Sequence, residues 1–85
     1  MEVYRTHSFE REFLELPKNV QDRFEVKLAF FLRDPFHPSL QSKKMGGAHG
    51  IWEVRISKGY RFTFSIQGHT YLLRRIGTHD ILRRP

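Results

Sequence analysis

Arg55 and Arg61 stand in the run Trp52-Glu53-Val54-Arg55-Ile56-Ser57-Lys58-Gly59-Tyr60-Arg61-Phe62-Thr63-Phe64-Ser65-Ile66, each on the polar side of an apolar/polar alternation. Alternation with a period of two makes each half of the run a half-buried strand. Paired as a hairpin, the two halves set Arg55 opposite Arg61. Like charges directly across a ladder are destabilising, and a phosphate is the simplest anion to relieve them. The planar fork of arginine binds two phosphate oxygens at once, and clustered guanidinium groups stabilise the extra charge of a pentacoordinate phosphate. Glu53, Thr63 and one of Arg74 or Arg75 share this face, with Lys43 and Lys44 before it and His79 after it. RNA cleavage at such a phosphate needs one group to take the 2′-hydroxyl proton and another to protonate the departing 5′-oxygen. His79 and Glu53 are the candidates, a free histidine titrating at about 6.5. Each has a structural alternative: His79 as a surface turn residue, Glu53 as a counter-ion, and the arginines splayed into solvent.

The elements that must position these groups follow from the same periodicities. A two-residue Lys58-Gly59 loop would set polar Ser57 opposite apolar Tyr60, so a three-residue loop, Ser57-Lys58-Gly59, is expected, with Gly59 in the left-handed position. Ile56 then faces Tyr60, Val54 faces Phe62 and Trp52 faces Phe64. Gln67-Gly68 reads as the next turn and His69 to Ile76 as a further strand. A two-residue turn there sets Arg74 opposite Arg61, and a three-residue turn sets Arg75 there. Upstream, Met1 to His7 reads as an edge strand. Ser8 is placed to cap a short helix, with Glu10 and Glu12 at its positive end and Phe9, Phe13 and Leu16 on one face. Leu16-Pro17 ends that helix and Pro17 opens the next. Val20, Phe24, Leu28 and Phe31 form the buried stripe of the second helix, which Asp34-Pro35 ends. Phe36 to Gly50, with Lys43-Lys44 and three glycines, reads as a loop. The fold class is α+β: a strand, a helical hairpin, then a C-terminal three-stranded antiparallel meander in a small twisted sheet, with both helices on its Trp52/Phe62/Phe64 face.

Residues 1–85 make a single domain, too short to hold a second one. Fifteen Lys and Arg against nine Asp and Glu give a net charge of +6 and a pI near 10.2, which points to nucleic acid, another polyanion or an acidic protein as partner. The absence of cysteine excludes disulfides and thiolate metal sites. The five histidines show no paired ligand spacing, so neither a metal nor another cofactor is expected. The eight phenylalanines fall at strand and helix periods and belong to the core, while Tyr4, Tyr60 or Tyr71 at an edge is suited to stacking on a base. No nucleotide-binding glycine loop, nucleophile elbow or helix-turn-helix signature occurs. Leu28 to Leu32 is far short of a membrane span, and the first residues lack the features of a targeting peptide. A cytoplasmic protein without a membrane partner is expected.

The assembled features resemble the RelE/ParE superfamily of toxins from type II toxin–antitoxin systems. The resemblance covers nearly the whole chain. It runs through the helical hairpin around Leu16-Pro17, the Asp34-Pro35-Phe36-His37-Pro38-Ser39-Leu40 break, Lys43-Lys44-Met45 and Trp52-Glu53-Val54-Arg55-Ile56. Gly59-Tyr60-Arg61-Phe62-Thr63-Phe64 and Ile76-Gly77-Thr78-His79-Asp80 are its most specific parts. It implies a RelE-like fold and a metal-independent endoribonuclease (mRNA interferase) that cleaves mRNA at the ribosome through 2′-hydroxyl attack. It also implies a small acidic antitoxin that binds by a helix or an added strand. The ParE branch implies instead a non-enzymatic inhibitor of DNA gyrase, and an inactive antitoxin-binding homologue is a further alternative. Arg61 matches a catalytic phosphate-contacting arginine of the RelE and YoeB types. Arg55 stands where RelE types have a catalytic lysine and YafQ types a histidine. Glu53 falls near a second RelE-type lysine and reverses its charge. His79 matches the C-terminal catalytic histidine of YafQ and YoeB types, but Asp80, Ile81, Leu82 and Arg83 follow it without the catalytic aromatic of those toxins. Lys43 lies roughly where YafQ types have another active histidine. The expected catalytic set is thus Arg61, His79, Arg55 and Glu53, with Lys43, Lys44, Arg74 and Arg75 binding RNA phosphates.

Overall fold

The computed structural model describes residues 2–47 and 50–85. Met1 of the expected edge strand, and Ala48 and His49 of the expected loop, lie outside the described residues. Strand β1 (Glu2–Arg5) leads into helices α1 (His7–Leu14) and α2 (Lys18–Arg33). Strands β2 (Lys43–Lys44), β3 (Ile51–Ser57), β4 (Tyr60–Gln67) and β5 (Thr70–Gly77) follow, with 3-10 turns at Pro38–Leu40 and His79–Arg83. The sheet order is β1-β5-β4-β3-β2, with β1 parallel to β5 and the other neighbours antiparallel.

Alternation along β3 and β4 sends Val54, Phe62 and Phe64 to one face, where Phe9, Val20, Phe24 and Phe31 from the helices cover them. Phe24 meets Phe62 edge-on at 5.4 Å, and Phe31 meets Phe64 at 4.9 Å, the tilted geometry that aromatic quadrupoles favour. The expected α2 stripe is the observed one, with Leu28 half-buried at its margin. Helix starts differ from expectation. Thr6, not Ser8, caps α1: its hydroxyl accepts from Phe9 N at 3.0 Å and donates to Arg74 O at 2.8 Å, so the cap also ties the helix to β5. Pro17 is the N-cap of α2 and not its first helical residue. Gln21 reaches back from α2 to the carbonyls of Phe13 and Leu16, closing the end of α1.

The expected loop from Phe36 to Gly50 holds two elements. Its 3-10 turn buries Leu40 completely in the core, and β2 adds a fifth strand beside β3. Two lysines carry no alternation, so only their partner strand reveals them as a strand. The β3–β4 hairpin pairs Val54 with Phe62, Trp52 with Phe64 and Arg55 with Arg61, as expected. Its loop is Lys58-Gly59, however, and Ser57 does face Tyr60. A bulge between Arg55 and Ser57 absorbs the mismatch and keeps Ile56 buried, so Gly59 needs no left-handed backbone and does not adopt one. At β4–β5 neither expected register holds. The turn is Gly68-His69, with Gly68 at φ +60°, and a second bulge shifts the ladder between Thr63 and Phe64. Arg75 therefore faces Thr63, and Gly77 faces Arg61.

Candidate functional site

On the sheet face away from the helices, Lys43, Glu53 and Thr63 form one row across β2, β3 and β4; Arg55, Arg61 and Gly77 form the next across β3, β4 and β5. Lys43, Glu53, Arg55 and Arg61, with Gln41, line an open cleft of about 230 Å³. Arg61 Nη1 donates to Glu53 Oε2 at 3.0 Å along the diagonal of the ladder, and both side chains are largely shielded from solvent. Arg61 Nε is buried with no partner among the described residues. A buried donor left unpaired costs stability. Arg55 is exposed, and its Nη1 donates to Gln41 Oε1 at 3.2 Å. The cleft thus holds three cations and one carboxylate.

Gln41 escaped the sequence reading. It follows the Pro38–Leu40 turn with φ 48°, the only non-glycine positive φ among the described residues, and that backbone aims its amide at Arg55. The Pro38-Ser39-Leu40 break hints at a turn, but no local pattern tells where the next side chain points.

The other expected residues lie elsewhere. Lys44 faces Trp52 and so belongs to the opposite face from Lys43. Arg75 does not join Arg61. Its Nε and Nη2 clasp the Glu12 carboxylate at 2.9 and 2.7 Å, and its Nη1 donates to Arg84 O at 2.8 Å. The hydrogen bond to Glu12 raises the Arg75 pKa above the ordinary arginine value despite the opposing effect of burial. Arg74 Nε donates to Pro85 O at 3.2 Å, which also accepts from the fully buried Thr63 hydroxyl. Residues 84–85 thereby cover part of the polar face. His79 opens the terminal 3-10 turn, exposed and outside the residues lining the cleft. It lies two residues beyond Gly77, the residue across the ladder from Arg61. Gly77 puts no side chain beside Arg61, and a Cβ there would come within 3.0 Å of Ile81 Cγ2. Among the described residues no cluster of His, Asp and Glu is arranged to hold a metal ion.

No protein-family model matches the sequence, and no curated protein matches it. Solved structures do. A YoeB/ParE toxin from Agrobacterium tumefaciens superposes with a TM-score of 0.80 at 18% identity, over 93% of this chain and 99% of that one. The fold is that of the RelE/ParE toxins. A chain of the RelB–RelE antitoxin–toxin complex from Methanococcus jannaschii gives 0.77 at 18% identity over 93% of each chain. YafQ from E. coli strain BL21(DE3) gives 0.77 at 9% identity, over 95% of this chain and 96% of that one. At these identities the RelE-type likeness rests on architecture: β1, the helical hairpin and the antiparallel strands expected from the sequence.

Proposed function

We propose that this protein is the toxin of a toxin–antitoxin pair and that it cleaves RNA, with mRNA in the ribosomal decoding site as the expected substrate. The observation that carries this reading is the convergence of Arg55, Arg61 and Lys43 about Glu53 on one cleft. In this scheme Arg61 and Arg55 hold the non-bridging oxygens of the scissile phosphate while Lys43 adds positive charge. The 2′-oxygen attacks phosphorus as its proton passes to Glu53, only one of whose oxygens is engaged by Arg61. The bond from phosphorus to the 5′-oxygen breaks, and His79 gives that oxygen a proton. The products are a 2′,3′-cyclic phosphate and a 5′-hydroxyl. Arg74 and Arg75, held by carbonyls and Glu12, act by fixing the end of β5 that leads to His79.

A small acidic antitoxin fits the net charge of +6. Exposed Val26 and Phe30, one turn apart on α2, and the open edge of β1 offer it an apolar contact or a strand partner.

Induction in a bacterial host followed by mapping of RNA ends tests the reading. Cleavage should fall about a hundredfold or more in Arg61→Ala and in His79→Ala. Growth arrest with intact RNA, both ribosome-bound and free, overturns the nuclease reading, and unchanged cleavage in Arg61→Ala overturns the site. The placement of His79 outside the cleft favours a second reading, non-enzymatic inhibition of gyrase as in the ParE branch. A DNA-damage response without RNA cleavage would select it.

A further inference from the structure

Arg55 and Gln41 also wall a second open cleft, of about 260 Å³, whose lining does not include Arg61. Arg23, Lys27 and Lys58 line it together with Ser39 and Ser57, and no carboxylate does. None of the four ion pairs among the described residues involves Arg23, Lys27, Arg55 or Lys58. Arg23 and Lys27 stand one turn apart on α2, a spacing at which like charges repel. Lys27 is not a loose surface charge: its Nζ donates to Ser39 O at 2.8 Å, bridging α2 to the 3-10 turn. Four cations drawn from a helix, a strand and a hairpin loop are thus gathered where no carboxylate among the described residues lines the cleft. Ile56 is the only apolar residue in the lining, so the cleft offers no pocket for the apolar anchor a peptide would need.

The two clefts share a saddle, the Gln41–Arg55 hydrogen bond, and that saddle depends on the one strained non-glycine backbone described. The geometry points to a second phosphate subsite: single-stranded RNA lies across the saddle, with one phosphate at Arg61 and a neighbouring one among Arg23, Lys27 and Lys58. This rests on reading the first cleft as an RNA site. It extends that site from a single phosphate to a tract along the strand. It also gives Arg55 two faces, each turned to a different phosphate. Sequence alone scatters these residues over α2 and the β3–β4 loop, and only the packing of α2 against β3 unites them.

The test uses fluorescence anisotropy with a 2′-O-methyl oligouridine of about ten nucleotides, which cannot be cleaved, titrated at several salt concentrations. Arg23 and Lys58 are exposed, so R23Q/K58Q should keep the wild-type melting temperature. It should weaken binding about fivefold for each phosphate left without its cation at roughly 0.1 M salt, and lower the log–log salt slope by about 0.7 per phosphate. R61Q should weaken binding separately, and the two effects should add. Unchanged binding in R23Q/K58Q with weakened binding in R61Q overturns the second subsite and leaves the first reading standing. The converse result overturns the first reading while leaving an RNA-binding cleft at Arg23. No change in either overturns both. Loss of binding to an acidic antitoxin by R23Q/K58Q, with oligouridine binding intact, assigns the cleft to the antitoxin and overturns the proposal.

Discussion

At the residue scale, the question is why Arg55 and Arg61 tolerate each other across a ladder. Glu53 answers half of it. The Arg61–Glu53 bond at 3.0 Å offsets one charge in a largely shielded setting, where removing one partner is costly. Glu53→Gln should therefore destabilise the fold by about 2 kcal/mol in urea titrations. Added sulfate should then restore more stability to the variant than it adds to wild type, because an anion that binds only the folded state stabilises it by mass action. Equal sulfate effects in the two proteins would mean that the guanidinium pair has no need of an anion. The facing of Arg55 and Arg61 was legible from the period of two together with a three-residue loop; the loop is in fact two residues long, and the bulge between Arg55 and Ser57 restores the expected pair. The Glu53–Arg61 diagonal was not legible. Glu53 is in register with Thr63, and only side-chain conformation carries it to Arg61.

At the scale of elements, what the sequence concealed were the bulges and the short edge strand. Each bulge shifts a ladder by one residue without altering composition, and at β4–β5 a shift of the turn adds to it, so Gly77 replaces an arginine opposite Arg61. Both helices and the hairpin were legible because each buries a periodic apolar face, whereas β2 buries none. Gly77 is where the element scale meets the site, since its missing side chain admits Ile81 and seats the turn that carries His79. Gly77→Ala should cost no more than about 1 kcal/mol, because the Ile81 methyl must give way by a few tenths of an ångström while the stiffer unfolded chain offsets part of the overpacking. Combined with Ile81→Ala, it should cost less than the sum of the single changes, with a coupling of at least about 0.5 kcal/mol in a double-mutant cycle. Strict additivity would place the clash elsewhere.

At the scale of the whole molecule, the chain's two ends meet at Arg75. From β5 this residue clasps Glu12 of α1 and the carbonyl of Arg84, joining the first helix, the last strand and the terminal turn in one hydrogen-bonded set. Because the folded pKa of Arg75 lies above its ordinary value, its contribution is complete below the ordinary arginine range and is lost only above it. On the arginine's side the clamp is therefore constant at every pH where the protein would work. Lysine cannot reproduce the fork, so Arg75→Lys should lose about 1 to 2 kcal/mol and lower the melting temperature by roughly 5 to 10 °C. The functional consequence separates binding from chemistry. Arg55 and Arg61 lie in another cleft and should bind the uncleavable oligouridine unchanged, while cleavage falls as the turn bearing His79 loosens. Equal losses of binding and cleavage in Arg75→Lys would show that Arg75 acts on the RNA itself and not through the position of His79.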